Sequence, residues 1–134
     1  MDDTDSLSDL QIVSRTLDGE AGNQSYAAKQ AVANVIQNRT ALKWQNETTE
    51  RGVCLHRKQF DCWLPGRDRD RIMSQNYTEN TDCLVIAKMA LNGTLVDITD
   101  GATHYYDDSI KPPYWENPEK MTVKIDRLTF YDLS

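Results

Sequence analysis

One glutamate near the start of the chain has the surroundings that a general acid needs. Glu20 follows Gly19 and precedes Ala21 and Gly22, so small residues leave room beside its carboxyl group. Cleavage of a glycosidic bond requires an acid that protonates the leaving oxygen and that an apolar setting keeps neutral near pH 7. We expect Glu20 to face a cleft at a corner between two helices, although on local sequence alone a glutamate in a turn is usually solvated.

A second group of residues, near the end of the chain, combines flat aromatic faces with polar groups. Aromatic rings bury the apolar C–H faces of sugars, and hydroxyl and imidazole groups hydrogen-bond the sugar hydroxyls, so we expect these residues to bind a saccharide. If they lie on a strand, alternation turns one of the two adjacent tyrosines into the core, and a lone histidine there is more often structural than a base. The group comprises Thr103, His104, Tyr105, Tyr106, Tyr114 and Trp115.

A third cluster lies in the middle of the chain, where Gln59 precedes Phe60 and Trp63. We expect the two aromatic residues to pack, and Gln59 either to hydrogen-bond a substrate or to cap a loop. We expect the adjacent acids Asp107 and Asp108 to lie in a turn and to be solvated, and we assign neither of them a nucleophilic role. The sequence contains no nucleophile elbow, phosphate-binding loop or zinc-protease motif.

The cysteine and histidine content predicts no metal site and no cofactor. The chain has three cysteines and two histidines, and the cysteine spacing lacks the paired pattern of a zinc site. A disulfide is plausible if the protein works outside the cytoplasm; Cys62 is then the expected member, with Cys54 or Cys83 as its partner. We do not expect a cysteine nucleophile.

Apolar periodicity predicts three helices that would position these groups. The first begins at a Ser6 cap and ends near Gly19, and the second begins at Ser25 and ends at Asn38 and Arg39, with the strongest helical spacing in the chain. A third helix is predicted over 79–92, before a glycine that suits a helix end.

The remaining segments are less regular. Residues 43–78 show no sustained period, which indicates a functional loop or short elements. After residue 93 the period changes to that of strands: 121–125 and 128–131 predict a hairpin around Asp126 and Arg127, and the segment at Thr103 is a possible third strand. Helices followed by a small antiparallel sheet predict an α+β fold.

Length and charge limit the possible classes. With 134 residues and a net charge of −6, we expect one domain over 1–134, with an acidic, flexible stretch at 1–6, and no binding to nucleic acid. No apolar run could span a bilayer, and no signal peptide is evident. We therefore expect a monomer that is either made in the cytoplasm and released by other means or trimmed from a secreted enzyme.

Taken together, these motifs resemble the SleB-type cell wall hydrolases. The resemblance covers most of the chain from about residue 9 to 132, and the order of the short motifs makes it specific. The matching blocks are Arg15-Thr16-Leu17-Asp18-Gly19-Glu20-Ala21, residues 30–39, Gln59-Phe60-Asp61-Cys62-Trp63, residues 87–93, Gly101-Ala102-Thr103-His104-Tyr105-Tyr106, Pro113-Tyr114-Trp115 and Phe130-Tyr131.

The resemblance implies a lysozyme-like fold that acts on peptidoglycan glycan strands, with Glu20 as the catalytic acid. In transglycosylase chemistry Glu20 protonates the oxygen between N-acetylmuramic acid and N-acetylglucosamine and then acts as base while the muramoyl C6 hydroxyl closes a 1,6-anhydro ring. A muramidase would use water instead and would need a second group to place it. The resemblance also suggests Thr103 and His104 beside the cleft. A bare catalytic domain of this kind resembles a phage lysin or a trimmed wall enzyme.

One position departs from the family pattern. The final strand of the family commonly carries a histidine where this chain has Leu128. If that histidine assists catalysis, its replacement leaves a non-catalytic glycan-binding or virion morphogenesis module as the alternative; if it is structural, Leu128 simply packs. A zinc-dependent amidase or peptidase is a third and weaker alternative.

Overall fold

The computed structural model describes residues 3–57, 59–78 and 81–134, and within them helices precede a small antiparallel sheet, as predicted. The helices are α1 (Asp9–Ala21), α2 (Tyr26–Ala41), α3 (Glu50–Leu55), α4 (Arg67–Ser74) and α5 (Asp82–Asn92). Short 3-10 helices occupy Asp3–Ser6, Trp44–Asn46, Asp61–Trp63 and Pro118–Lys120. The strands are β1 (His104–Asp107), β2 (Met121–Ile125) and β3 (Leu128–Tyr131). None of the helices in these residues is long and apolar enough to span a bilayer.

The first helix begins two residues later than predicted. Ser8, rather than Ser6, is the cap: its Oγ accepts a hydrogen bond from Gln11 N at 3.2 Å, and Gln11 Oε1 accepts one from Ser8 N at 2.8 Å. A glutamine at this spacing completes the same reciprocal cap as a glutamate. Within the acidic stretch predicted at 1–6, residues 3–6 form a 3-10 helix, and Arg51 donates to the carbonyl oxygen of Thr4 at 2.7 Å.

The predicted end of α1 at Gly19 is wrong, because the helix continues through Glu20 to Ala21. Gly19 is needed for a close approach rather than for a left-handed turn. A Cβ atom at this position would overlap the Cβ of Cys62 and lie 2.7 Å from its Sγ. The missing side chain lets the 3-10 helix Asp61–Trp63 pack against α1. Because α1 continues to Ala21, Glu20 lies in its last turn.

The second helix is capped by Ser25 as predicted, but it extends beyond Asn38 and Arg39 to Ala41. The two polar side chains reach across to the segment before the sheet instead of ending the helix. Asn38 Nδ2 donates to Ala102 O at 2.9 Å, and Arg39 Nε donates to Thr103 O at 2.7 Å. These bonds attach α2 to the start of β1.

The third predicted helix is confirmed as α5, which begins at Asp82 and ends before Gly93 in a left-handed conformation; residues 79 and 80 lie outside the described residues. The segment without a clear period contains α3 and α4, of six and eight residues, which are too short to produce one. No disulfide joins the three cysteines: Cys54, Cys62 and Cys83 are all free and buried.

The sheet has the strand order β1-β3-β2, with both pairs antiparallel. The predicted hairpin is confirmed, and its turn includes Asp126 with a positive φ of 52°. All four residues of β3 are buried, since the strand lies between its two neighbours and packs on the helical core. Asp126 Oδ2 accepts a hydrogen bond from Ser25 N at 3.0 Å, which ties the hairpin to the start of α2.

Candidate active site

The Glu20 carboxyl group is held between α1 and the sheet. Its Oε1 accepts a hydrogen bond from the Tyr105 hydroxyl at 2.6 Å, and the side chain is partly buried. Burial raises the pKa of Glu20 above its ordinary value, and the negative charge of Asp61 raises it further, while the hydrogen bond from Tyr105 opposes them. The site therefore favours the protonated acid more than water does.

Two hollows adjoin at Glu20, and together we call them the groove. The polar hollow has a volume of about 400 Å³ and is lined by Asp18, Gly19, Glu20, Gly22, Asn23, Asp68 and Arg71. The aromatic hollow has a volume of about 280 Å³ and is lined by Glu20, Arg39, Gln59, Phe60, Asp61, Tyr105, Tyr106, Asp107, Ile110 and Leu128. A chain molecule laid along the groove would therefore pass over Glu20 with part of its length on each side.

Three of the predicted binding residues line the aromatic hollow: Gln59, Tyr105 and Tyr106. Tyr105 is the one that faces the core, with its ring 5.4 Å from that of Phe130, yet its hydroxyl reaches Glu20. Tyr106 stacks on Tyr131 at 5.9 Å and an interplanar angle of 16°. The two tyrosines therefore have different neighbours, as alternation along β1 predicts, yet both line the aromatic hollow.

The other predicted binding residues, Thr103, His104, Tyr114 and Trp115, line neither hollow. Thr103 is 2% exposed and its Oγ1 lies 2.9 Å from His104 Nδ1. The His104 and Trp115 rings pack together at a centroid distance of 5.0 Å, and Tyr114 is fully exposed. Thr103 and His104 thus lie outside both hollows, although the carbonyl oxygen of Thr103 accepts a hydrogen bond from Arg39, which lines the aromatic hollow. A role for them beside the cleft stays a prediction.

His104 carries no charge at neutral pH. Burial, followed by the nearby positive charge of Arg39, lowers the pKa of His104 to about 4. The neutral ring lies among Trp44, Trp115 and Thr103, which suits a packing role.

The sequence did not predict a role for three charged residues that line the aromatic hollow. Asp61 and Asp107 both line it, although neither was expected to take part. Arg39 is only 6% exposed, with its guanidinium 4.4 Å from the centre of the Trp44 ring and 5.6 Å from that of Phe60. Helical spacing could have found Arg39, because it follows Val32, Val35 and Ile36 at seven, four and three residues, on the apolar face of α2.

The departure at Leu128 is accommodated by packing. The side chain is 2% exposed and belongs to the hydrophobic core, and it also contributes to the wall of the aromatic hollow. Among the described residues, no group of three or more histidine, cysteine, aspartate or glutamate side chains could hold a metal ion.

Comparison with known proteins identifies the class. A family model described as Cell Wall Hydrolase matches residues 23–131, and the protein therefore belongs to the cell wall hydrolase family and is an enzyme of that class. No curated protein matches the chain by sequence.

Two solved structures share the fold. The catalytic domain of SleB from Bacillus cereus is 24% identical, with 92% of this chain and 89% of that chain covered at a TM-score of 0.71. The catalytic domain of the germination-specific lytic transglycosylase SleB from Bacillus anthracis is 23% identical, with 95% and 98% covered at a TM-score of 0.73. The fold is thus the lysozyme-like one that was expected. Since the family match begins at Asn23, the role of Glu20 depends on the geometry described above.

Proposed function

We propose that the protein cleaves the β-1,4 linkage between N-acetylmuramic acid and N-acetylglucosamine in peptidoglycan glycan strands, by lytic transglycosylase chemistry. Membership of the cell wall hydrolase family supports the substrate class, and the similarity to the lytic transglycosylase SleB of B. anthracis supports the reaction type. The observation that carries the proposal is the Glu20 carboxyl group, with a raised pKa, at the junction of the two hollows.

In this mechanism the strand lies along the groove with the scissile bond over Glu20. The protonated carboxyl group donates its proton to the glycosidic oxygen, and the bond from this oxygen to the muramoyl C1 breaks. The carboxylate that remains accepts the hydrogen bond from Tyr105, which stabilises the charge as it forms. The muramoyl C6 hydroxyl then attacks C1 and returns its proton to Glu20, which closes the 1,6-anhydro ring and restores the acid.

The principal test compares the wild type with Glu20→Gln on isolated sacculi, with mass analysis of the released muropeptides. The amide oxygen can still accept the bond from Tyr105, but the amide cannot donate the proton. We therefore expect a loss of roughly 10³-fold, within the range for general acid–base groups. Glu119→Gln is the matched control, because this glutamate is exposed and lines neither hollow, and we expect it to retain activity within about twofold. Equal activity of wild type and Glu20→Gln would reject the assignment.

A muramidase is the second candidate, and the position of Asp61 favours considering it. This exposed carboxylate lines the same hollow as Glu20 and acts on its pKa, so it could place an attacking water. Asp61→Asn distinguishes the two routes. A muramidase that depends on Asp61 would lose most of its activity and produce reducing ends, whereas a transglycosylase would stay active and produce 1,6-anhydro ends.

The same assays address the non-catalytic alternative. A module that only binds glycan would sediment with sacculi and release no product, whatever residue stands at position 20. Loss of lysis on addition of a chelator would instead favour the zinc-dependent alternative.

A further inference from the structure

The floor of the aromatic hollow contains a buried cation whose hydrogen-bonding capacity is largely unused. Arg39 is 6% exposed and lies between the rings of Trp44 and Phe60. Its Nε donates to Thr103 O at 2.7 Å, which fixes the direction of the guanidinium. Nη1 is buried and has no hydrogen-bond partner. Within the residues that the structure describes, the other terminal nitrogen has no hydrogen bond and Arg39 forms no ion pair.

Such an arrangement is costly unless something else completes it. A guanidinium carries five N–H donors and no acceptor, and a buried donor without a partner costs free energy. Burial lowers the pKa of Arg39 from its ordinary value, and the charges of Tyr105 and Glu20 oppose that shift. Asp61 and Asp107 also line the hollow, but within the described residues none of these carboxylates forms an ion pair or a hydrogen bond with Arg39. The hollow therefore holds charged donors that no carboxylate pairs with directly.

The second buried arginine of the helical core has both of its terminal nitrogens paired. Arg15 is 8% exposed and lies 5.0 Å from the centre of the Tyr77 ring. Its two terminal nitrogens donate to Gln11 O and Gln75 O, each at 3.4 Å, while its Nε is the unpartnered atom. Arg39 has the reverse pattern, and its side chain lines the groove.

We propose that Arg39 is a substrate-recognition residue whose terminal N–H groups donate to an amide carbonyl oxygen of the glycan strand. The inference rests on the proposed function, because it takes peptidoglycan as the ligand. Carbonyl oxygens are the strong acceptors of such a strand, and they come from two sources: the 2-acetamido groups of the sugars and the lactyl amide that joins the stem peptide. Nη1 is enclosed by protein atoms, so a carbonyl that enters the hollow would pair with the other terminal nitrogen.

The test is a cycle that changes the enzyme and the substrate together. Arg39→Lys keeps the positive charge but removes the terminal nitrogens. One substrate arm uses glycan strands before and after de-N-acetylation, and the other uses strands before and after amidase removal of the stem peptide. We expect Arg39→Lys to lower kcat/KM on intact strands by about 10- to 100-fold, as for a hydrogen bond to a charged group. On the strand that lacks the relevant amide, wild type and Arg39→Lys should have nearly equal kcat/KM.

The outcomes separate cleanly. Coupling in the first arm assigns the acetamido carbonyl, and coupling in the second assigns the lactyl amide. Equal losses on every strand would overturn the proposal, while active wild type would leave the proposed function intact. Arg15→Lys is the matched control, because its terminal nitrogens have backbone acceptors away from the groove; it should reduce stability without distinguishing the strands.

A second measurement keeps the proposal testable if Arg39→Lys does not fold. In wild-type protein with ¹⁵N-labelled arginine, the Arg39 side-chain resonances should shift on addition of N-acetylglucosamine oligomers and not with glucosamine oligomers of equal length. The lactyl source predicts a shift with muramoyl peptide disaccharide instead. No shift with any of these saccharides would overturn the proposal, and this experiment does not require catalysis.

Discussion

Two tyrosine–carboxylate hydrogen bonds flank the end of α1, and their lengths are the same. Tyr105 donates to Glu20 at 2.6 Å, and Tyr77 donates to Asp18 Oδ2 at 2.6 Å. Their surroundings differ, because Asp18 also forms an ion pair with Arg71 at 2.7 Å. In the described residues no lysine or arginine forms an ion pair with Glu20.

The difference shows that the hydrogen bond alone does not make an acid. Asp18 contacts both Arg71 of α4 and Tyr77 of the segment that follows α4. These contacts join α1 to α4 and to that segment, which is a structural role. Glu20 forms no ion pair in the part of the chain that the structure describes, and burial is the largest cause of its raised pKa. The paired cation, rather than the tyrosine, distinguishes the two carboxylates.

The largest effect is expected from Gly19, which lies between the two carboxylates. Gly19→Ala would place a methyl group against Cys62 and push the Asp61–Trp63 helix away from Glu20. Overpacking of this kind typically costs about 1–3 kcal/mol, and urea unfolding would measure it. Gly93→Ala is the control, because it meets open space and should cost only about 1 kcal/mol for its positive φ. Equal unfolding midpoints for Gly19→Ala and wild type would show that the close approach is unimportant.

A smaller effect is expected from removing each tyrosine hydroxyl in turn. Tyr105→Phe removes the bond that lowers the pKa of Glu20, so this pKa rises and the alkaline limb of the pH–activity profile moves to higher pH. The lost hydrogen bond to the developing charge should also reduce kcat/KM by about tenfold. Tyr77→Phe, its counterpart, should leave the limb unchanged and cost about 1 kcal/mol in stability. The same limb position in both variants would remove the distinction between the pairs.

The smallest effect concerns His104, which lines neither hollow. Its pKa of about 4 lies below the 6.5 of an unperturbed histidine, so the unfolded chain binds the proton first as the pH falls. The contribution of the neutral His104 ring to the free energy of unfolding is therefore fully present above pH 6.5 and is lost as the pH falls towards 4. His104→Gln should flatten the pH dependence of Tm in this window and leave the alkaline limb of activity unchanged. An equally steep dependence in the variant would contradict the assignment.

The helical part of the fold was predictable because its periodic residues face one core. Ser25 and Gly93 mark helix ends that depend on local backbone chemistry, and alternation gave the hairpin. The end of α1 was not predictable in this way, since Gly19 serves a contact with Cys62, 43 residues further along the chain. Local rules for glycine describe φ and cannot include a distant neighbour.

The residues that line the groove were predictable only in part. Glu20 and the tyrosines of β1, predicted from residue type and resemblance, do line it. Arg39 was expected only to end the second helix. A charged residue at the end of an apolar helix face is expected to be exposed to solvent unless its partner elsewhere in the fold is known. Thr103 and His104 line neither hollow, because sequence order along a strand does not show which residues a neighbouring loop covers.

The continuation of α1 past Gly19 has an electrostatic consequence as well as a steric one. The peptide dipoles of a helix add to a partial negative charge at its C-terminal end, where the last carbonyl oxygens lack partners in the helix. Glu20 is the last residue but one of α1, so its carboxylate would stand in this unfavourable field, at a cost of about 0.3–1 kcal/mol. The direction of the chain through this helix thus helps to keep the proton on the acid; the same residue in the first turn would release it more readily.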